Sequence, residues 1–290
     1  MKIGETFGPN RKSVGASIRP FMRRRFRREA VGAAEISQAI HRGAIELASQ
    51  PIVRLEQSST ILYRECQARL RLADGLLLLP NHFAPHLQQL GVVARIDALV
   101  VRRAMALLSS GASLCLGINL SPSGMSDQAW WEPVLDELAR RPEIARRLVF
   151  EIQETAVLVP GTGRAIRKAL RAAGCRVVID GFGVRYGVQT AMEIDAPDII
   201  KVDESLLSGL TAKQARRVAG LVALARDMAP CVVVDGIECD VAWQVARDAG
   251  AQWVQGSWVG GERLLPRLGW LGTLEREVDQ LARFVDRATL

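Results

Sequence analysis

The chain has 290 residues, 49% of them hydrophobic, which is enough for one large domain or two ordinary ones with a sizeable core. It contains no apolar run of about 18 residues and no apolar signal core at its start, which excludes a transmembrane helix and gives no indication of secretion. The net charge is +7, and the five cysteines form no C-x-x-C pair and no metal-finger spacing, so we expect free thiols in a reducing cytosol.

The first predicted segment is a basic arm over residues 1–33. Residues 19–28 hold six arginines and no acid, with Phe21 and Phe26 between them. Such a run is typical of a solvated, flexible arm, and it also suits an anionic partner, either a nucleic acid or a membrane surface. The residues do not separate these interpretations.

From residue 34 onward, short runs rich in Val, Ile and Leu alternate with stretches of helical periodicity such as 161–173 and 211–229. Gly174 and Gly250 stand where such helices would end. This alternation predicts an α/β fold, and eight strand-like runs in about 220 residues predict a closed (β/α)8 barrel of the TIM type over 34–290. The predicted strands are 46–53, 60–69, 113–120, 148–154, 175–180, 198–203, 231–236 and 252–256.

The first two predicted strands are joined only by residues 54–59. A parallel crossover needs about a dozen residues, so these strands should form an antiparallel pair. We therefore predict a barrel with one antiparallel strand. The last predicted element is a helix over 271–288, which either packs on the barrel or pairs with another copy of the chain.

Polar side chains stand at or near the ends of seven of these runs. In a (β/α) barrel the carboxyl ends of the strands meet at one face, where active sites lie. Three carboxylates and an amide among these side chains are hard oxygen ligands, which predicts Mg²⁺ or Mn²⁺ rather than zinc. The seven are Glu65, Asn119, Glu151, Asp180, Lys201, Asp235 and Gln255.

A series of segments from about Ile36 to Pro266 resembles the motifs of EAL domains, the cyclic di-GMP phosphodiesterases. The resemblance is in chain order and without large gaps, and it implies the same barrel with an irregular antiparallel strand. The segments are S-Q-P-I-V (49–53), E-C-Q (65–67), I-N-L-S-P (118–122), F-E-I-Q-E-T (150–155), D-G-F-G-V-R-Y-G-V (180–188), I-I-K-V-D (199–203), V-V-D-G-I-E (233–238) and V-Q-G-S-W-V (254–259).

The resemblance implies hydrolysis of cyclic di-GMP to a linear dinucleotide, by two metal ions about 3.5–4 Å apart that activate a water. It implies that Glu65, Asn119, Glu151 and Asp180 bind the first ion. It implies three catalytic residues: Lys201 orients or deprotonates the water, Asp235 stands for a catalytic glutamate, and Glu154 anchors the loop after Asp180. The implied substrate-binding residues are Gln50, Arg69, Arg185 and Gln255, and Trp258 is a candidate neighbour of a base.

Three departures from the family pattern affect this chemistry. The second aspartate of the D-D-F-G segment, a ligand of the second ion, is Gly181, which has no side-chain oxygen. The loop after it is rewritten and carries Arg185, whose charge would partly replace that ion or contact the phosphodiester. Asp235 is one methylene shorter than the glutamate of the family, and a displacement of about 1 Å at a catalytic group costs about a hundredfold in rate.

We therefore expect an impaired EAL domain that acts as a cyclic di-GMP receptor or as a regulator that binds a protein. The alternative is an active phosphodiesterase, because the first-metal residues and Lys201 are present. A module that binds only protein, or pairs as a homodimer, is a third interpretation. A dinucleotide-binding fingerprint in G-F-G-V-R-Y-G is rejected, since Tyr186 stands where the fingerprint needs a glycine.

Overall fold

The computed structural model describes residues 32–111, 113–121, 125, 128–153, 158–267, 281–283 and 285, with the side chains of residues 128–130 and Gly187 left aside. The predicted basic arm and Glu154 lie outside the described residues, as does most of the predicted C-terminal helix. Of that helix, Leu281 and Val285 are described, and both are buried in the hydrophobic core.

The strands form a closed barrel, which confirms the predicted fold class. Eight strands close the ring in the order β1-β9-β8-β7-β6-β5-β4-β2, and β2 pairs with β1 again. β1 is antiparallel to both of its barrel neighbours, β2 and β9, while the other pairs of the ring are parallel. The strands are β1 (Ile45–Arg54), β2 (Ile61–Arg71), β3 (Leu77–Leu78), β4 (Leu116–Leu120), β5 (Leu148–Gln153), β6 (Arg176–Phe182), β7 (Ile199–Val202), β8 (Cys231–Val234), β9 (Trp253–Val254) and β10 (Arg263–Leu264).

Helices follow the parallel strands and cover the outside of the barrel. Because both faces of β4 to β8 are covered, these strands are apolar nearly throughout. The helices are α1 (Ala33–His41), α2 (Pro80–Gln89), α3 (Val93–Ser109), α4 (Gln128–Arg140), α5 (Pro142–Ala145), α6 (Thr162–Ala173), α7 (Gly187–Ile194), α8 (Ala212–Met228) and α9 (Asp240–Asp248), with a 3₁₀ helix at Glu204–Leu207.

Local sequence signals set the ends of these helices. Gly174 ends α6 with a φ of 97°, a left-handed conformation that suits glycine. Thr211 begins α8 with a capping box, in which its hydroxyl accepts from the Gln214 N–H and the Gln214 side chain accepts from the Thr211 N–H. None of the helices in the described ranges combines the length and hydropathy of a membrane span.

The β1–β2 hairpin sets the positions of several polar side chains. Its register runs from Ile45 opposite Leu70 to Val53 opposite Ile61, and it places Gln50 opposite Glu65. Glu65 therefore lies in the middle of β2 and not at its end, because β2 continues past the barrel to pair with β3. Side chains alternate along a strand, so Gln50 and Glu65 both point into the barrel.

Candidate active site

A cavity of about 580 Å³ opens at the carboxyl ends of the parallel strands, and it is strongly acidic. In the described part of the chain, Lys201 is the only lysine or arginine that lines it. Seven carboxylates line the cavity together with that single cation, so the cavity favours positively charged groups. The acidic residues are Glu65, Asp180, Asp203, Glu204, Asp235, Glu238 and Glu262.

Lys201 is the centre of this arrangement. Its Nζ lies 2.8 Å from Glu65 Oε2, 2.8 Å from Glu151 Oε2 and 3.2 Å from Asp180 Oδ1. A fourth carboxylate oxygen, Asp235 Oδ2, is 3.9 Å away. The Lys201 side chain is 1% exposed. Burial alone would lower its pKa, but the nearby charges of Asp180, Glu151 and Glu65 raise it well above its usual range, so the ammonium stays protonated.

Glu65 is the best supported of the carboxylates around Lys201. Its Oε2 also accepts from Gln255 Nε2 at 2.7 Å, and its Oε1 accepts from Asn119 Nδ2 at 3.0 Å and from Gln67 Nε2 at 3.2 Å. Burial raises the pKa of Glu65, yet Lys201 and these donors outweigh it and lower the pKa to about 2. Glu65 is therefore an anion at neutral pH.

Glu151 differs from Glu65 although both contact Lys201 at the same distance. Burial, followed by the charges of Glu65 and Asp180, raises the pKa of Glu151 well above its usual range despite Lys201. Its Oε1 is buried and has no hydrogen-bond partner. The two carboxyls thus have opposite pKa shifts, because neutral donors support Glu65 and leave one oxygen of Glu151 without support.

Asp180 and Asp235 complete the ring of acids. Burial raises the pKa of Asp180, and Lys201 opposes this shift. Burial also raises the pKa of Asp235, to about 7, although Lys201 and the Gly236 N–H favour its anion. Asp235 Oδ1 accepts from Gly236 N at 2.7 Å, so Oδ2 is the oxygen that faces Lys201.

The oxygen-rich set fits a hard divalent cation in its chemistry, and Asn119 Oδ1 is a buried acceptor without a partner. Among residues that the structure describes, however, no group of three or more His, Cys, Asp or Glu side chains is arranged to hold a metal ion as it stands. The Lys201 ammonium lies among the carboxylates that such an ion would need. A divalent cation would therefore compete with the ammonium for these oxygens.

The predicted substrate-binding residues are placed differently from one another. Gln50 and Gln255 line the cavity, and Gln255 Nε2 lies 3.3 Å from Gln50 Oε1. Arg69 is buried and already engaged, because its Nη2 donates to Gln67 and to Glu262. Arg185 is exposed and is not among the residues that line the cavity. A contact between Arg185 and substrate therefore stays a prediction that its position does not support.

Gly181 adopts a backbone conformation that favours glycine, with a φ of 86°. It follows Asp180 in β6, where the family pattern has its second acid. An aspartate at this position would therefore carry backbone strain in the present conformation. The backbone at position 181 therefore suits glycine, the residue that leaves out the carboxylate.

Several cavity residues were not found by sequence reasoning. Asp203 and Glu238 stand inside the segments I-I-K-V-D and V-V-D-G-I-E, so their motifs were a usable signal. Gln67 donates to Glu65, so the last residue of the E-C-Q segment supports the carboxylate at its start. Glu204 had no signal, because its place depends on close contact with the loop after β8: a Cβ on Gly236 would lie 2.7 Å from Glu204 Cβ.

A comparison with known families matches residues 33–261 to a family model described as EAL domain. The chain is 24% identical over 232 residues to cyclic di-GMP phosphodiesterase PdeF of Escherichia coli K12, covering 78% of this chain and 31% of that protein. It is 25% identical over 269 residues to probable cyclic di-GMP phosphodiesterase PdeB of the same organism, covering 91% of this chain and 51% of that protein. The chain thus spans between about a third and about half of these relatives.

A solved structure supports the fold independently. An EAL domain protein from Listeria monocytogenes EGD-e superimposes with a TM-score of 0.71 and 23% identity, covering 82% of this chain and 95% of that one. At this identity, the likeness shows the barrel architecture.

Proposed function

The chain belongs to the EAL domain family, and from this premise we propose that it binds cyclic di-GMP together with one divalent cation and has lost most of the hydrolytic activity. The proposal rests on one observation: the chain keeps the residues expected to bind the first ion, and it lacks the second aspartate of the D-D-F-G segment. Glu65, Glu151 and Asp180 converge on Lys201, while Gly181 supplies no carboxylate for a second ion. The choice of nucleotide rests on the names of relatives, of which one is a cyclic di-GMP phosphodiesterase and another a probable one.

The charge of the cavity supports a cation as a partner of the ligand. Cyclic di-GMP has two phosphodiester groups and therefore two negative charges. Seven carboxylates and one lysine line the described part of the cavity, so the bare site would repel such a ligand. Mg²⁺ or Mn²⁺, held by Glu65, Asn119, Glu151 and Asp180, would place positive charge beside a phosphate and reduce that repulsion.

A bound divalent cation would supply Lewis-acid stabilisation of phosphoryl oxygens. The remaining steps fall to the residues of the chain. Hydrolysis would form a bond from water oxygen to phosphorus and break the bond from phosphorus to the ribose oxygen, which takes up a proton. Lys201 suits orientation of the water better than proton abstraction, because its raised pKa keeps it protonated. Asp235 Oδ2 is the acceptor beside it that could take the proton of the water.

Impaired turnover follows from the loss of a carboxylate next to the residues proposed to bind the first ion. A two-metal displacement stabilises both the attacking and the leaving oxygen, and loss of a carboxylate at Gly181 weakens one half of that arrangement. Arg185 does not compensate, since it is exposed and does not line the cavity. The short side chain of Asp235 adds a further displacement.

A second candidate function is slow but genuine phosphodiesterase activity. Retention of Glu65, Glu151 and Lys201 in one hydrogen-bonded group favours it. A regulatory role through a protein partner or a second copy is favoured by a different feature, a group of exposed apolar side chains beside and on α7. This group consists of Val159, Val184, Tyr186, Val188 and Met192.

Incubation with cyclic di-GMP and excess Mn²⁺, followed by chromatography of the nucleotides, tests the loss of turnover. The control is a Glu65→Ala variant prepared in the same way, which reports contaminating activity. We expect no more linear dinucleotide from the wild type than from this control. Product that the wild type forms rapidly and the control does not form would favour the phosphodiesterase over the receptor.

A further inference from the structure

Tyr63 is a buried phenol directly beneath the candidate site. It lies on β2 two residues before Glu65, so both side chains point into the barrel. Its side chain is fully buried in the interior cluster with Ile52 and Val149. Its hydroxyl is buried and makes no hydrogen bond. A buried hydroxyl without a partner costs free energy, so its presence in the barrel interior requires an explanation.

Glu151 presents the matching group. Its Oε2 accepts from Lys201 at 2.8 Å, while its Oε1 is buried without a partner. The chain therefore buries one unpaired hydroxyl donor and one unpaired carboxyl oxygen in the same barrel.

Gly117 on β4 shows that the two side chains share one space. A Cβ built on Gly117 would lie 2.3 Å from Glu151 Oε1 and 2.5 Å from Tyr63 Cε2. No other residue type fits at Gly117 without moving one of them, because real Cβ atoms do not come so close to other atoms. The Tyr63 ring and the Glu151 carboxyl thus occupy the space that a side chain at position 117 would need.

We propose that Tyr63 is a positioning residue for Glu151. Its hydroxyl donates to Glu151 Oε1, directly after a small shift of the side chains or through one enclosed water molecule. This bond fixes the carboxyl plane with Oε2 toward Lys201 and satisfies both buried groups at once. The consequence for a cation rests on the proposed function: a Glu151 carboxyl that is held from behind is a better ligand than one that can rotate.

The hydrogen bond can be tested without any metal or nucleotide, because the chain has only two tyrosines. Protein labelled with ¹³C at tyrosine Cζ should give two resonances, and a Tyr186→Phe variant assigns them. In an equal mixture of H₂O and D₂O, we expect the Tyr63 signal to split into protonated and deuterated forms, because its hydroxyl exchanges slowly. We expect Glu151→Gln to shift this signal and to leave that of Tyr186 in place. A Tyr63 signal that is unsplit and unaffected by Glu151→Gln would overturn the inference.

A second measurement tests the positioning role. Tyr63→Phe keeps the ring and the packing, so it should fold, and Tyr186→Phe is the matched control. We expect Tyr63→Phe to weaken Mn²⁺ binding, measured by calorimetry, about tenfold, the lower end of what is typical for residues that orient a ligand, and the control to leave it unchanged. Equal Mn²⁺ affinity in both variants and the wild type would refute the positioning role. If the wild type binds no Mn²⁺, the proposed function fails, and the resonance experiment still decides the hydrogen bond.

Discussion

Lys201 Nζ and Glu151 Oε2 lie 2.8 Å apart in the barrel interior, with side chains that are 1% and 0% exposed. A buried ion pair of this kind contributes little net stability, but removal of one partner leaves an uncompensated group and is strongly destabilising. Because Glu65 and Asp180 contact the same ammonium, Lys201 holds three carboxyls together. The same three carboxyls are among the groups proposed above to hold a divalent cation, so the ammonium and the cation would compete for them.

Replacement of Lys201 should make the protein depend on a divalent cation for stability. We expect Lys201→Met to lose about 3 kcal/mol of unfolding free energy, since three carboxyls then face one another without a cation. Added Mg²⁺ should recover more stability in this variant than in the wild type, because it no longer competes with the ammonium. Urea unfolding with and without Mg²⁺ measures both effects. Lys168→Met, at an exposed position on α6, is the control, and equal gains from Mg²⁺ in Lys201→Met and wild type would contradict the account.

Asp97 should make stability depend on pH. Its Oδ2 accepts from Ser121 N at 3.1 Å and from Ser121 Oγ at 2.7 Å, and so it holds the residue that follows β4. Burial raises the pKa of Asp97 to about 6, above its ordinary value near 4. The folded state therefore binds this proton more tightly than the unfolded state. The protonated Asp97 therefore contributes fully to the free energy of unfolding below about pH 4, and this contribution is lost as pH rises through about 6.

Asp97→Asn removes this titration and is the direct test. The unfolding free energy of the wild type relative to the variant should fall by about 1–2 kcal/mol between pH 4 and pH 7, a range reduced by partial exposure of the side chain. Urea unfolding at several pH values measures the difference, with exposed Asp248→Asn as control. A difference that stays constant with pH, or that grows as pH rises, would show that the pKa of Asp97 is not raised in the folded protein.

Gly181→Asp should partly restore hydrolysis at a cost in stability. The new carboxylate would return the acid that the family pattern has after Asp180. The φ of 86° at this position should cost about 1 kcal/mol for any residue with a Cβ. Gly181→Asn is the matched control, because it carries the same backbone strain without the charge. We expect at least a tenfold faster conversion of cyclic di-GMP with Mn²⁺ for Asp over Asn, by chromatography. Equal rates would remove Gly181 as the cause of impairment.

Replacement of glycine by alanine should have opposite effects on stability at two positions, Gly117 and Gly220. Gly117→Ala would place a methyl group 2.3 Å from Glu151 Oε1, so we expect a loss of about 1–3 kcal/mol. Gly220 lies inside α8 with open space around it, so Gly220→Ala should gain up to about 1 kcal/mol from helix propensity. Thermal unfolding of both variants measures this contrast. Stability in Gly117→Ala equal to that of the wild type would mean that the barrel interior is looser than described.

The barrel could be predicted from the sequence because its signals are local. Apolar runs such as Val177–Ile179 and a link too short for a crossover are read directly from neighbouring residues. The side-chain contacts are not local. Glu65 was expected at or near the end of the run 60–69 and lies in the middle of β2, which continues to Arg71 and pairs there with β3. Strand ends alone do not reveal such an extension.

The electrostatic pattern of the site was also beyond sequence reasoning. Glu65 and Glu151 are both glutamates on barrel strands, yet their pKa values shift in opposite directions, because Gln255 and Asn119 support only Glu65. Tyr63 stands in an apolar run and gives no sign of its buried hydroxyl. The exposed position of Arg185 depends on the course of the loop after β6, which a motif does not specify.

The most direct test is a calorimetric titration of the protein with cyclic di-GMP in Mg²⁺ and again in EDTA, with the nucleotide recovered and analysed after each run. We expect binding in Mg²⁺, much weaker or no binding in EDTA, and intact nucleotide after the titration. Equal affinity in EDTA would contradict the need for a cation in the acidic cavity. Extensive conversion to the linear dinucleotide would contradict the loss of turnover.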